Sequence, residues 1–408
     1  MQRVVITGMG LVSCLGPDLA AVTSSLREGR SGIVRSEARA ALGFSSNLTG
    51  ALPHFDARNA LSRKERRAMG EPALYAANAA LDALADAHLE RDRVATPRAG
   101  VIIGNDSVCA DAWRAADQTL RDGTTRNLGS AAVVRCMNSS PSINLSVMLR
   151  TRGACWSLSA ACASGAHAIG QAWSLVATGQ QDVVICGGTQ ELDWTGMAGF
   201  DALGAFTSWE GEPAKAARPF SHDRDGLVPS GGAAILVLES LEHARRRDAR
   251  VRAEVLSYAF SSDGFHVTAP AGDGAVQAIH SALQAAALGP GEIEYVNAHA
   301  PGTVVGDRIE AEAILEVFGE RGPPVSSTKS MSGHECWMSG ASEVAYSLLM
   351  AEGGFIAPNC NYAGPEPGLE ALDVVTTPRE VRPRTILSNS FGFGGTNACL
   401  VLRAGALE

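Results

Sequence analysis

Short apolar runs alternate along the chain with longer stretches in which apolar residues recur every three or four positions, so strands and helices are predicted in turn. Arg3 to Ile6 reads as a buried strand running into a glycine-bearing turn, Thr7-Gly8-Met9-Gly10. Ser62 is placed to cap a helical run that continues through Ala87. Gly100 to Gly104 is another buried strand, and Ala131 to Leu149 a helix carrying Cys136 and Met137. From Trp156 a short strand leads into small residues at Cys162. The following run, Ala163 to Val176, has helical spacing and almost no charge, as expected of a helix buried inside the molecule. Asp182 to Gly188 is a strand. The polar loop Arg218 to Gly226 leads through Gly231-Gly232 into the strand Ala233 to Leu238, and the charged helix Leu241 to Arg247 follows.

The pattern then restarts. A strand at Ala253 to Ala259 precedes a helix over Gly274 to Ala287, a strand runs from Glu294 to Ala298, and Gly394-Gly395 leads into an apolar strand ending at Leu402. That glycine pair echoes Gly231-Gly232, and each part also holds a serine-rich turn into a helix, one bearing Cys162, the other running from Ser326 to His334. The repeat predicts two related halves, residues 1–250 with the cysteine and 251–408 with two notable histidines. Alternating strands and helices imply a largely parallel sheet covered on both faces. Two copies of one unit would bring the two turns together across a pseudo-two-fold axis, with Cys162 near His334.

Composition narrows the function classes. Hydrophobic residues make up 46% and charged ones 19%, which describes a globular chain, and a formal net charge of -9 argues against general nucleic-acid binding. Small molecules or protein-borne substrates remain. Nine cysteines are scattered without a C-x-x-C pair, which argues against a zinc site. A chain of 408 residues needs no disulfide staples, so reduced thiols and a cytoplasmic location are expected. The start reads as a strand and not a signal peptide, and no apolar run approaches the ~18 residues of a membrane span. Gly8 and Gly10 hint at a dinucleotide fingerprint, but Ser13 stands where its third glycine belongs. The basic knot Arg63-Lys64-Glu65-Arg66-Arg67 fits docking of something acidic and a plain solvated helix face equally well.

Cys162 lies where a strand turns into a helix. Unpaired N–H groups and the helix dipole there are expected to lower a thiol pKa from about 8.5; a small core residue would also satisfy the pattern. His299 ends the strand Glu294 to Ala298, and His334 follows Lys329 and Gly333 at a turn. Strand ends are where parallel α/β folds build their sites. One cysteine and one histidine would suit a thiol protease, whereas two histidines and a buried nucleophile helix fit acyl transfer between thioesters better.

Four blocks make this specific: Ala161-Cys162-Ala-Ser-Gly-Ala, Val296-Asn-Ala-His299, Ser327-Thr-Lys329-Ser-Met-Ser-Gly-His334, and Ser388-Asn-Ser-Phe-Gly-Phe393-Gly-Gly-Thr-Asn397-Ala. In order and spacing, across essentially the whole chain, they resemble the β-ketoacyl-acyl carrier protein synthases of the elongating, two-histidine branch. The resemblance implies a thiolase-like α/β fold, two pseudo-repeated βαβαβ halves in a five-layer α/β/α/β/α sandwich, normally assembled as a dimer. It implies that Cys162 accepts an acyl chain from carrier-protein phosphopantetheine, with the N–H groups of Cys162 and Phe393 as oxyanion hole. His299 and His334 would hold the malonyl thioester oxygen through decarboxylation. Lys329 and Glu310 would form a buried charged pair fixing His334 and its loop, and Phe393 would gate the pocket. Thr303 would touch the pantetheine arm, Met137 and Phe200 would line the acyl pocket, and Arg63, Lys64 and Arg67 would dock the carrier. No metal or redox cofactor is implied.

The chain departs from the family at two places. Ala300-Pro301-Gly302-Thr303 stands where the family usually reads Gly-Thr-Ser-Thr, and Pro301 removes a hydroxyl and an N–H. Glu335-Cys336-Trp337-Met338 stands where small apolar residues are usual. These changes favour a specialised type II polyketide or polyene synthase, as a homodimer or paired with a ketosynthase-like subunit, over primary fatty-acid elongation. A non-catalytic, pocket-shaping partner subunit would be expected to have lost the nucleophile, which this chain keeps with both histidines.

Overall fold

The structure, a computed structural model, describes residues 1–405. Ten strands form the main sheet: β1 (Val4–Val12), β2 (Ala99–Gly104), β3 (Cys155–Leu158), β4 (Val183–Gln190), β5 (Gly232–Ser240), β6 (Ala253–Ser262), β7 (Tyr295–Asn297), β8 (Val325–Ser326), β9 (Thr385–Gly392) and β10 (Thr396–Ala404). Their spatial order is β8-β7-β9-β10-β6-β1-β5-β4-β2-β3. The order within the first half, β3-β2-β4-β5-β1, recurs strand for strand in the second as β8-β7-β9-β10-β6. The halves meet where β1 and β6 pair, at Val5 with Glu254 and Ile6 with Ala253.

Six helices complete the layers: α1 (Glu71–Asp86), α2 (Ser140–Leu149), α3 (Ser164–Ala177), α4 (Asp273–Ala285), α5 (Val304–Phe318) and α6 (Ser339–Gly353). α1 covers β1 and β5 while α2 covers β2 and β3; α4 covers β6 and β10 with α5 beside it; α3 and α6 lie between the halves and touch both. This is the five-layer sandwich of the thiolase fold. α6 is buried from Ser339 to Ala351, and α3 buries Ala166, Ala168, Ile169, Ala172 and Val176. A helix apolar all round belongs in the core, and these two carry the site into it.

The sheet is mixed, not largely parallel. β2–β3, β2–β4, β7–β8 and β7–β9 run parallel, but β1–β5, β4–β5, β1–β6, β6–β10 and β9–β10 are antiparallel. Only Phe393–Gly395 separates β9 from β10, too short a connection for a parallel crossover.

Other boundaries also moved. β1 continues through Gly8 and Gly10 to Val12, because α1 packs against it there: a Cβ on Gly8 would lie 2.3 Å from the Ala83 carbonyl oxygen, and one on Gly10 2.1 Å from that of Ala79. The run from Ser62 to Ala87 is two helices. Ser62 and Glu65 form a capping box on Arg63–Arg66, and α1 starts afresh after Gly70 with Pro72 in its first turn. Ala131 to Leu149 breaks in the same way, into Ala132–Arg135 and α2 with Pro141 in its first turn. A proline lacks the N–H that a continuing helix would use and disfavours helical geometry just before it. A hairpin of Ile33–Arg35 with Leu48–Gly50 gave no apolar run long enough to be read. Among the described residues, no helix is long and apolar enough to cross a membrane.

Candidate active site

Between β3 and α3 the chain makes a tight turn. Ala161 adopts a left-handed φ of 47°, strained for a residue with a Cβ, and presents Cys162 at the turn. The Ser164 hydroxyl holds this geometry, donating to the Ala161 carbonyl at 2.6 Å and accepting from the Ala160 N–H at 2.8 Å. The Ala161 N–H donates to Asp106 Oδ2 at 3.1 Å. β2 can lie against this turn only because Gly104 has no side chain: a Cβ there would be 2.4 Å from the Ser164 carbonyl carbon.

Cys162 is 4% exposed, and the Lys329 charge and the backbone N–H groups of Phe393 and Cys162 favour its thiolate. The thiol pKa is nevertheless raised, not lowered as the helix position predicts. Burial pushes it up to about 12, outweighing Lys329 and the two N–H groups. The resting group is a thiol.

His334 is delivered by Gly333, which has φ 70° and whose added Cβ would meet the Val228 carbonyl oxygen at 2.7 Å. The His334 N–H donates to that carbonyl at 2.7 Å, and its own carbonyl accepts from Ser230 N at 2.8 Å. Its Nε2 lies 3.1 Å from Cys162 Sγ and its Nδ1 3.1 Å from Ser339 Oγ on α6. His299, just past β7, meets His334 edge-on with ring centroids 5.3 Å apart. Sγ and one ring nitrogen from each histidine lie within 4.8 Å of one another, a spacing that would also suit a metal ion, although the nearby Lys329 ammonium opposes an added cation.

The predicted Lys329–Glu310 pair does not form. Lys329 pairs with Glu343 of α6, both side chains 1% exposed, and its Nζ also stands 3.4 Å from His299 Nδ1. Glu310, on α5 beneath the loop after β7, accepts from the backbone N–H of His299 at 2.8 Å and of Ala300 at 2.6 Å, and from Asn389 Nδ2 at 3.1 Å. An ammonium against Nδ1 fixes the His299 tautomer with its proton on Nε2. Burial, and then the Lys329 charge, hold both histidines well below the usual 6.5. A base whose pKa is lowered stays neutral until the pH falls below the lowered value. The pH profile of any step using these N–H donors should therefore show no histidine limb between pH 6 and 8; an inflection near 6.5 that disappears in His334→Gln would contradict this.

A cavity of about 410 Å³ opens onto Cys162, His299 and His334, and Thr303, Phe200 and Phe393 also line it. Pro301 sits in the same wall. Met137 does not: it lies in the break between Ala132–Arg135 and α2 and is 42% exposed. Arg63, Lys64 and Arg67 are exposed and, among the described residues, make no ion pair; Glu65 turns instead to Ser62 and Arg91. Glu343, Ser339 and Asn389 were missed by sequence reasoning. For Glu343 a signal existed: it is the one charged residue in the helical run Ser339–Gly353 before Glu352 at its end, and a charge there needs a buried partner.

Comparison with known proteins agrees with this geometry. The family profile "Beta-ketoacyl synthase, N-terminal domain" matches residues 1–244, and "Beta-ketoacyl synthase, C-terminal domain" matches residues 252–363. The 3-oxoacyl-[acyl-carrier-protein] synthase 1 of Haemophilus influenzae is 40% identical over 406 residues, 99% of each chain. A solved β-ketoacyl synthase from Burkholderia phymatum superposes with a TM-score of 0.94 at 36% identity, covering 100% of both chains. The ketosynthase AntDE, solved with its type II polyketide acyl-carrier protein AntF, superposes at 0.88 with 29% identity, covering 99% of this chain and 100% of that one. With full-length relatives, both family profiles and the shared fold in agreement, the chain belongs to the β-ketoacyl synthase family, acyltransferases of the 3-oxoacyl-carrier-protein synthase type.

Proposed function

We propose that this chain condenses a fatty acyl group, held as a thioester on Cys162, with malonyl-acyl carrier protein to give 3-oxoacyl-carrier protein. Cys162 Sγ attacks the incoming acyl thioester; the carrier's pantetheine sulfur leaves and takes the thiol proton. Malonyl carrier protein then enters along the wall bearing Thr303. Its bond to the free carboxylate breaks, CO2 departs, and the electron pair passes to the thioester oxygen, where N–H donors of His299 and His334 hold the enolate. The enolate carbon attacks the acyl-Cys162 carbonyl, whose oxygen finds the N–H groups of Cys162 and Phe393. The carbon–sulfur bond breaks, and the Cys162 thiolate regains a proton. The observation carrying this reading is the convergence of one nucleophilic sulfur with two histidines kept neutral by burial and Lys329.

Substrates borne on acyl carrier protein fit the exposed cations Arg63, Lys64 and Arg67, which make no ion pair among the described residues, since a carrier of opposite charge would be steered there. Reversing Arg63 and Lys64 to glutamate should raise the KM for the carrier-bound substrate several-fold while acyl loading from a small thioester is unchanged. Equal effects on both would count against docking. A second subunit is also part of the proposal: β3 is an edge strand with Cys155 and the 41%-exposed Trp156 uncovered, so pairing there, homomeric or heteromeric, would remove an exposed apolar edge.

The curated relative named above is a 3-oxoacyl synthase, which supports the fatty-acid reading over the specialised role favoured by Glu335-Cys336-Trp337. The polyketide reading keeps support from the AntDE likeness. Competing saturated against polyunsaturated or aryl acyl carriers of equal length decides: preferential extension of the saturated chain is expected, and preference for the conjugated chain would reverse the assignment.

A further inference from the structure

Cys162 shares a buried cluster with Met197, Phe206, Leu227, Cys336 and Trp337, against which Phe200 packs. Cys162, His299, Pro301, Thr303 and Phe200 all line the open cavity, whereas Trp337 does not line it but packs against the Phe200 ring, the two centroids 6.0 Å apart. On its other sides Phe200 stacks on Phe393 and Phe206, at 5.9 and 6.4 Å. The space beyond the nucleophile, where carbons of an acyl group on Cys162 must go, is therefore filled with aromatic rings.

These rings differ in how firmly they are held. Phe200 is only half-buried, on the short helix Trp194–Ala202. Trp337 is 8% exposed, and its indole N–H donates to Ser107 Oγ at 3.2 Å. Its backbone is wedged against two glycines: a Cβ on Gly188 of β4 would lie 2.6 Å from the Trp337 carbonyl oxygen, and one on Gly165 of α3 3.1 Å from it. The preceding residue, Cys336, holds a φ of 44°, a conformation side chains avoid, and this turn delivers the indole to the cluster. A ring anchored at both ends does not yield to a growing chain as Phe200 can.

We propose that Trp337 is a specificity-determining residue: it closes the acyl side of the pocket beside Cys162 and restricts the enzyme to short acyl chains. The proposal rests on the condensing reading above and adds to it the size class of the acyl substrate. The backbone contacts do not involve the indole, so replacing the side chain opens the pocket without removing the turn.

The test loads saturated acyl carrier proteins from butyryl to dodecanoyl onto wild type, Trp337→Ala and Trp337→Phe, reading acyl-Cys162 by intact mass and kcat/KM for each length. Wild type should favour the short chains. The decanoyl-to-butyryl ratio of kcat/KM should rise roughly tenfold or more in Trp337→Ala, because even one methylene accommodated or excluded by an apolar pocket changes selectivity about that much. Trp337→Phe should fall between, and it decides the matter alone if the alanine variant does not fold. Normal loading in wild type with the same length profile in every folded variant would overturn the role of Trp337 and leave the condensing reading standing. Failure of wild type to load any chain would overturn both.

Discussion

Replacing Cys162 with alanine is expected to reduce formation of 3-oxoacyl product by roughly 10,000-fold or more, the scale of loss when a covalent nucleophile is removed. Decarboxylation of malonyl carrier protein should continue. The two activities separate because they draw on different atoms. In the proposed mechanism condensation uses the sulfur that the Ala161–Ser164 turn presents, 3.1 Å from His334 Nε2, whereas enolate formation uses only the donors of His299 and His334. The check is to follow CO2 and 3-oxoacyl product in the same reaction. A Cys162→Ala protein that still makes product at a comparable rate would place the nucleophile elsewhere.

The second large effect is on stability. Lys329→Met should cost about 3–5 kcal/mol at pH 8, the usual result of removing one member of a buried ion pair. Both side chains are 1% exposed, and Glu343 Oε2 has no hydrogen-bond partner even with Lys329 present. Burial pushes the Glu343 carboxyl up to about 8 even against the pull of the Lys329 ammonium, so removing that ammonium pushes it further in the same direction. The sign of the pH dependence follows. A carboxyl whose folded pKa is raised binds more protons folded than unfolded, so stability is retained below the unfolded value near 4.5 and lost as pH rises through the folded one. The variant's deficit, measured by urea unfolding, should be smaller at pH 5.5 than at pH 8, and Lys329→Met/Glu343→Leu should recover most of it. An equal deficit at both pH values would mean that Lys329 acts through packing of its stem. Loss of the ammonium also frees the His299 tautomer, so malonyl decarboxylation should slow in the same protein.

Cys162, His299 and His334 were readable because each stands in its own local pattern, His299 just past β7, Cys162 at the turn into α3 and His334 after the helical turn Lys329–Ser332, and the repeated glycine-pair strands implied that two equivalent turns would meet. The strand order confirms that repeat: β10 follows β9 as β5 follows β4. What failed was information carried by partners distant in sequence. Lys329 finds Glu343 on a different helix instead of Glu310, because α6 faces Lys329 while Glu310 is occupied beneath the loop by the His299 and Ala300 N–H groups. The raised thiol pKa is another case: a helix start is visible in sequence, but the loss of hydration around Cys162, which outweighs it, is not. Met137 lies outside the cavity of the single chain, in a break of the helix read over it, and Pro141, four residues on, was the local sign of that break. The lean towards a specialised pathway rested on Pro301 and on Glu335-Cys336-Trp337-Met338. Within the fold none of Glu335, Cys336 and Trp337 lines the open cavity: Glu335 is bonded to Ser342 and Tyr346, and Trp337 packs against Phe200, where the proposed role bears on the size of the acyl group and not on the pathway.

The central claim is a relay through Cys162, and one single-turnover experiment tests it most directly. Protein loaded with one acyl group and freed of donor is mixed with malonyl carrier protein, and acyl-Cys162, CO2 and 3-oxoacyl-carrier protein are quantified over time. The account predicts that acyl-Cys162 disappears as CO2 and 3-oxoacyl product appear in equal amounts. Acyl-Cys162 that persists, or that is released as free acid while malonyl carrier protein remains intact, would contradict it.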